Sequence, residues 1–149
     1  MDASLKCMKK AMLSLSYSPK NERTLRIKLT GAFEEEVVDH VIETLKENKL
    51  INDSELACRY AERYTEQKLW GPLRIKNELL SHGFSRTDAQ NAAESFNDEC
   101  YCECAVKLLK RKFGSVESAN YEVRRTMKAF LMKYGYTGDL IYSIMGKYY

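Results

Sequence analysis

Three cysteines spaced two residues apart, Cys100, Cys102 and Cys104, are the side chains best placed for metal chemistry. In the helix that the surrounding pattern predicts, the first and third share a face and the second points elsewhere. Zinc motifs normally place C-x-x-C pairs on turns, and three thiolates on one helix do not surround a tetrahedral ion. We therefore favour helical packing over metal binding and expect no metal and no cofactor.

Acid–base chemistry has equally little support in the sequence. Neither histidine, His40 or His82, lies in a nucleophile–base or metal-ligand pattern, and no glycine-rich phosphate loop is present. Acidic runs such as residues 34–36 fit helix starts, where carboxylates complement the macrodipole. We expect His82 to end a helix at the surface, no catalytic residue, and no enzymatic activity.

Composition limits the class of protein further. The chain has 149 residues, of which 44% are hydrophobic and 30% charged, so it can bury a core. Its longest uncharged run, Ala11–Pro19, is nine residues, whereas a membrane-spanning helix needs roughly 20. Five cysteines, an odd number, and a start too weak for a secretory signal predict a reduced, cytoplasmic setting.

A pattern that recurs three times, at intervals of 50 and 52 residues, organises the chain. Each copy has a five-residue segment with apolar ends, an aromatic residue, and four apolar positions at helical spacing. The copies comprise residues 25–29, Phe33, Val38, Val41, Ile42 and Leu45; residues 75–79, Phe84, Ala89, Ala92, Ala93 and Phe96; and residues 127–131, Tyr136, Ile141, Ile144, Met145 and Tyr148. Each copy predicts a helix, a tight turn and a second helix.

The predicted turns have suitable residues at both ends. Gly83 and Gly135 can adopt the left-handed conformation that ends a helix. Ser85 and Thr137 can then cap the next helix by accepting a backbone N–H. The first copy, residues 31–34, is one residue shorter and lacks a good cap, so we expect an irregular turn there.

A further helix is predicted before each pair, near residues 3–16, 53–67 and 98–112. The first would bury Leu5, Met8, Met12 and Leu15, and Pro19 and Pro72 fit first-turn positions. The sequence thus predicts an all-α fold of three tandem three-helix repeats, 1–49, 50–96 and 97–149, stacked into an elongated curved array. The net charge alternates in sign along the chain, as a repeated unit with one basic and one acidic helix would produce. It is +5, −6, +3, −5 and +6 over residues 1–30, 31–58, 59–86, 87–104 and 105–149. We expect a monomer.

Cations recur at one position of this repeat. Arg26, Lys76 and Lys128 occupy the same slot in the three copies, and Arg74, Arg124 and Arg125 lie near it in sequence. These residues either form a basic binding surface or only solvate their helices. Arg74, for example, could pair with Glu78 one turn later.

Trp70, the one tryptophan, lies in the connection 68–72 between basic residues. It either covers the joint between two units, as buried aromatic residues do, or contacts a partner or a nucleobase.

Taken together, these residues resemble the RecX family. The matching motifs are residues 51–57, Arg59, Tyr60 and Arg63, then residues 71–79, Gly83 and Phe84. The spacing from Gly71 to Phe84 is the most specific part, and the three-unit layout extends the likeness over nearly the whole chain.

The resemblance implies a non-enzymatic modulator of the recombinase RecA, acting in homologous recombination, DNA repair and the SOS response. Such proteins are curved helical arrays that lie in the groove of the RecA–DNA filament and hinder its growth, ATP turnover and strand exchange. The implied partners are the RecA filament and, weakly and without sequence preference, DNA. We expect the contacts at Arg26, Arg63, Trp70, Arg74, Lys76, Arg124, Arg125 and Lys128.

Two other functions remain open from the sequence. A free-standing helical DNA-binding module would bind DNA without a recombinase and with a steep salt dependence. A protein-interaction scaffold would make no DNA contact. Charge reversal at Arg74, Lys76 and Lys128 distinguishes these hypotheses. It should abolish the DNA-dependent activity of a RecA modulator or a DNA-binding module and have little effect on a scaffold.

Overall fold

The structure, a computed structural model, describes residues 2–114 and 120–148. Within these residues the chain forms nine α-helices and no strand. The helices are α1 (Ala3–Tyr17), α2 (Glu22–Thr30), α3 (Glu35–Glu47), α4 (Asp53–Lys68), α5 (Pro72–Ser81), α6 (Arg86–Glu94), α7 (Asp98–Phe113), α8 (Tyr121–Lys133) and α9 (Gly138–Tyr148). The all-α prediction is confirmed.

Local capping chemistry explains where several helices begin. The Asn52 side chain accepts the Glu55 N–H at 3.2 Å, and Ser85 accepts the Asp88 N–H at 3.1 Å. Gly83 and Gly135, with φ of +93° and +94°, end the preceding helices as predicted. In the shorter first turn α3 begins without a side-chain cap.

Pro19 does not occupy a first turn, so that prediction is wrong. Asn21 caps α2 by accepting the Thr24 N–H at 2.9 Å, and the helix therefore begins at Glu22. Pro72 is the first residue of α5, as predicted.

The predicted apolar stripe of α1 is also wrong in part. Leu5 and Met12 are 49% and 42% exposed, whereas Cys7 and Ala11 are fully buried. The small residues let α1 approach the core closely, which leaves the larger side chains outside. Tyr148, the last apolar position of the third repeat, is 42% exposed near the end of α9.

The helices pack mainly within three consecutive triplets, α1–α3, α4–α6 and α7–α9. The first apolar position of each repeat, Leu25, Ile75 or Met127, is fully buried. The accessible surface of 9417 Å² exceeds the roughly 7,800 Å² typical of a compact monomer of this mass, consistent with an elongated array. The unit bounds 1–49, 50–96 and 97–149 stay a prediction, and Met1, residues 115–119 and residue 149 lie outside the described residues.

The hydrophobic core is divided between the units. The α1–α3 triplet has a core of its own, which runs from Cys7 to Ile51. The other two triplets share one continuous core, which includes Trp70, Tyr101 and Tyr136. The first unit therefore joins the rest through contacts other than a common apolar core.

That first joint is polar. Buried Asn21 donates its side-chain N–H to the His82 carbonyl at 2.8 Å, and the Glu22 N–H binds the Asp53 carboxylate at 3.0 Å. Burial, with Glu22 and Asp88 nearby, raises the pKa of Asp53. The start of α2 is thus fixed to the turn that ends α5.

The second joint repeats this arrangement with backbone groups. The Gly71 N–H donates to the Tyr134 carbonyl at 2.8 Å, and the Leu73 N–H donates to the Gly135 carbonyl at 2.9 Å. The Tyr136 hydroxyl donates to the Leu69 carbonyl at 2.8 Å. A Cβ atom on Gly71 would lie 2.6 Å from Gly135 backbone atoms, so the approach requires glycine.

None of the described helices is long and apolar enough to cross a membrane.

Candidate partner-binding site

A band of aromatic rings follows α4 into the second joint. The rings of Tyr60 and Tyr64 are 6.4 Å apart, and those of Tyr64 and Trp70 are 4.7 Å apart. Phe84 meets Tyr60 edge-on at 5.7 Å. Leu69 places Trp70 in this band, because its left-handed φ of +57° ends α4 and turns the chain back.

Three cations lie over these rings. Arg63 is 5.6 Å from the Tyr60 centroid, and Lys68 and Arg74 are 4.9 and 4.4 Å from the Trp70 centroid. Such contacts hold a cation through the ring quadrupole while its charge stays available to a second partner. We call Tyr60, Arg63, Lys68, Trp70 and Arg74 the cationic ridge.

Arg74 extends the ridge across the second joint. Its guanidinium also lies 5.2 Å from the ring of Tyr134, at the end of α8, so it is held between two units. It does not pair with Glu78, which instead contacts His82 at 3.2 Å. Tyr134 was not among the predicted site residues, although its position directly before Gly135 in the repeated turn places it at the joint.

Trp70 itself is only 7% exposed. This burial supports the hypothesis that the ring covers the joint between two units. An incoming base would have little free ring surface to stack on. A direct partner contact by Trp70 stays a prediction, and in the structure the ring supports Lys68 and Arg74.

Arg26 is neutralised by its own unit. It forms ion pairs with Glu22 at 3.2 Å and with Asp39 on α3, and the bond to Asp39 raises the pKa of Arg26. Lys46 pairs with the second Glu22 oxygen at 3.0 Å. Burial alone would raise the pKa of Glu22, but the hydrogen bonds from Lys46 and Arg26 together lower it.

Lys76 lies apart from Arg74, although both belong to α5. A separation of two residues places the side chains on different faces of a helix. Lys76 is half-buried in a groove of about 520 Å³ between the second and third units, which Glu94, Asp98 and Asp139 also line. The structure therefore does not join the two into one basic patch.

The third unit contributes a separate set of cations. Arg124 is half-buried and donates to the Met145 carbonyl at 3.3 Å. Arg125 and Lys128 are exposed, and neither has a hydrogen bond, ion pair or ring contact within the described residues.

The cysteines pack against the helices around them. Cys104 contacts the Thr65 carbonyl at 3.7 Å between α7 and α4, and burial raises the pKa of both Cys104 and Cys102. Cys100 is exposed. The described residues hold no group of three or more potential metal ligands.

Comparison with known proteins identifies the family. The family model described as "RecX, second three-helix domain" matches residues 52–92. A regulatory protein RecX from Clostridium perfringens strain SM101 is 32% identical over 150 residues, covering 97% of this chain and 69% of the relative. This chain belongs to the RecX family. The resemblance inferred from residues 51–84 is confirmed.

Two further RecX proteins agree with this assignment. A regulatory protein RecX from Clostridioides difficile is 27% identical over 144 residues, covering 96% of this chain and 68% of the relative. The crystal structure of RecX from Lactobacillus salivarius superposes with a TM-score of 0.88, covering 98% of this chain and 96% of that one. At 24% identity the structural match shows the shared fold. Membership supports a role as a RecX-type regulator.

Proposed function

We propose that this chain regulates the RecA recombinase by binding the RecA–DNA filament, and that it hinders filament assembly, ATP turnover and strand exchange. The proposal rests on membership of the RecX family, whose relatives are named regulatory proteins. Regulation would need no active site, because a bound protein can change polymer growth by contact alone.

The observation that carries the proposal is the cationic ridge. Arg63, Lys68 and Arg74 lie over aromatic rings, and no ion pair to an acidic side chain is found for them in the described part of the chain. Such cations are available to phosphates or to acidic protein surfaces. An Arg held between two rings also loses less side-chain entropy when it binds.

The tandem arrangement fits a polymeric partner. Cations are present at the second joint and on the third unit, so successive contacts along a filament can form at once. Linked contacts raise the overall affinity far above that of each alone. The chain would then bind a filament tightly and a free subunit weakly.

The direct test is the ATPase activity of RecA on single-stranded DNA, measured with and without this chain. We expect turnover to fall when the chain is present in amounts stoichiometric with the recombinase. Unchanged turnover would overturn the proposal.

A paired substitution tests the ridge itself. Arg63→Glu combined with Lys68→Glu reverses two exposed charges without altering Arg74 at the joint. We expect the concentration needed for half-maximal inhibition to rise about fivefold, because two lost charge contacts of about 0.5 kcal/mol each weaken binding by that factor. Arg86→Glu combined with Lys9→Glu, which reverses two exposed charges on α6 and α1 outside the ridge, is the matched control. Equal effects of the two changes would mean that the ridge has no special role.

Charge reversal at Arg74, Lys76 and Lys128 distinguishes the remaining alternatives. A filament regulator and a free-standing DNA-binding module should both lose DNA-dependent activity. A pure protein scaffold should not. Tight DNA binding without recombinase, together with unchanged ATPase turnover, would favour the DNA-binding module.

A further inference from the structure

The three units have one corner in common, formed by the second and third helices. The second helix contributes the residue after Leu25, Ile75 or Met127. The third helix contributes the residue after Val38, Ala89 or Ile141, which occupy one aligned position of the repeat. The pairs that the repeat aligns are Arg26 with Asp39, Lys76 with Gln90, and Lys128 with Tyr142, and the third-helix member of each pair is called the facing residue. In the first unit the two side chains form an ion pair, and Lys128 and Tyr142 occupy the corresponding positions of the third unit.

The first two corners have acidic groups of the chain beside their cation. Arg26 is bound by Asp39 and Glu22. Lys76 and Gln90 line one groove together with three carboxylates, Glu94, Asp98 and Asp139. A negatively charged ligand would have to compete with these acidic groups at both corners.

The third corner differs, because its facing residue is aromatic and open to solvent. Tyr142 is 83% exposed and has no ring contact within the described residues. Lys128 and Arg125, one helical turn apart on α8, are exposed and lack ion pairs within the same part of the chain. Asp139, the one acidic residue of α9, lines the groove that holds Lys76.

We propose that Arg125, Lys128 and Tyr142 form a contact site for single-stranded nucleic acid. The tyrosine ring stacks on one unpaired base, and the two cations bind neighbouring phosphates. An unpaired strand fits this corner because its bases are free to stack on an aromatic side chain, whereas those of a duplex are not. The inference rests on the proposed function, since it names the DNA contact of the same regulator.

The test measures binding of a dye-labelled oligothymidylate of about 15 nucleotides by fluorescence anisotropy, without recombinase. We expect Tyr142→Ala to weaken binding roughly tenfold, and Tyr142→Phe to retain it. Lys128→Ala should weaken binding and lower the slope of log K against log salt concentration by about 0.7 between 50 and 200 mM salt.

Tyr17→Ala is the matched control, because Tyr17 is 80% exposed at the end of α1 in the first unit. It should bind like the native chain, and thermal unfolding should show that all variants are folded. Equal losses for the Tyr17 and Tyr142 variants would overturn the site.

The failures of the two proposals are distinguishable. If the native chain lowers RecA turnover but does not bind the oligonucleotide, the nucleic-acid site is wrong and the regulatory function stands. If the Tyr142 and Lys128 variants bind the oligonucleotide normally but no longer affect turnover, the corner contacts the recombinase, and the nucleic-acid site is again wrong.

Discussion

Replacing Gly71 with alanine tests the joint that positions Arg74. The added Cβ would lie 2.6 Å from the Gly135 carbonyl carbon and oxygen and from the Tyr136 nitrogen. Ordinary contacts to such atoms are at 3.4–4 Å. The second and third units must therefore separate by about 1 Å at this point, because all three atoms belong to backbone that cannot rotate away.

The expected decrease in the free energy of unfolding comes from the packing and the hydrogen bonds that this separation disrupts. Overpacking costs about 1–3 kcal/mol. The hydrogen bonds Gly71 N–H to Tyr134 and Leu73 N–H to Gly135 each contribute about 1 kcal/mol. Alanine also stabilises the protein by about 0.4–1 kcal/mol, because it lowers the conformational entropy of the unfolded chain. This gain applies here because alanine can adopt the φ of −84° found at Gly71. We expect a net loss of about 3 kcal/mol, or roughly 10 °C in Tm.

Urea unfolding followed by circular dichroism measures this loss. Gly31→Ala is the matched control, because nothing lies within 4 Å of a Cβ at that position and its φ is −71°. The control should change stability by less than about 1 kcal/mol. If the Gly71 and Gly31 variants unfold at the same urea concentration, the close backbone approach does not stabilise the joint.

Three further changes probe other contacts. Asn21→Ala removes both the α2 cap and the bond to His82, so we expect a loss of about 1–3 kcal/mol and hydrogen exchange that rises in α1–α3 but not in α7–α9. Glu22→Gln should lower the free energy of unfolding by about 0.5–1 kcal/mol at pH 7. Because folding lowers the pKa of Glu22, its ion pairs stabilise the protein fully above the pKa of the unfolded chain. The difference in unfolding free energy between the variant and the native chain should therefore vanish as the pH falls through the folded-state pKa. Tyr142→Asp should weaken oligonucleotide binding more than Tyr142→Ala, since the acid both repels phosphate and pairs with Lys128; equal anisotropy titrations would contradict this.

The helices were predictable because their ends are determined locally. Asn52 and Ser85 cap α4 and α6 through residues three positions away, and Gly83 ends α5 through its own φ. The sequence therefore predicted 53–67 for a helix observed at Asp53–Lys68. Pro19 misled the prediction because proline suits both a first turn and a connection, and Asn21 decided between them.

Side-chain partners were less predictable because they depend on contacts distant in sequence. Arg74 and Glu78 have the spacing of a helical ion pair, yet Arg74 lies between Trp70 and Tyr134, the latter 60 residues away along the chain. Arg26 pairs with Asp39 across two helices. No local rule chooses between an acid on the same helix and a ring on another unit.

The repeat explains at which positions the side chains and their partners differ between the units. Buried positions such as Leu29, Leu79 and Leu131 face the same environment in every unit, so each keeps an apolar side chain. Packing does not constrain the corner in this way, and its facing residue is an acid, an amide or a tyrosine. A cation in a repeated slot is therefore evidence for binding only when its facing residue leaves the charge free, and within the described residues Lys128 meets that condition while Arg26 does not.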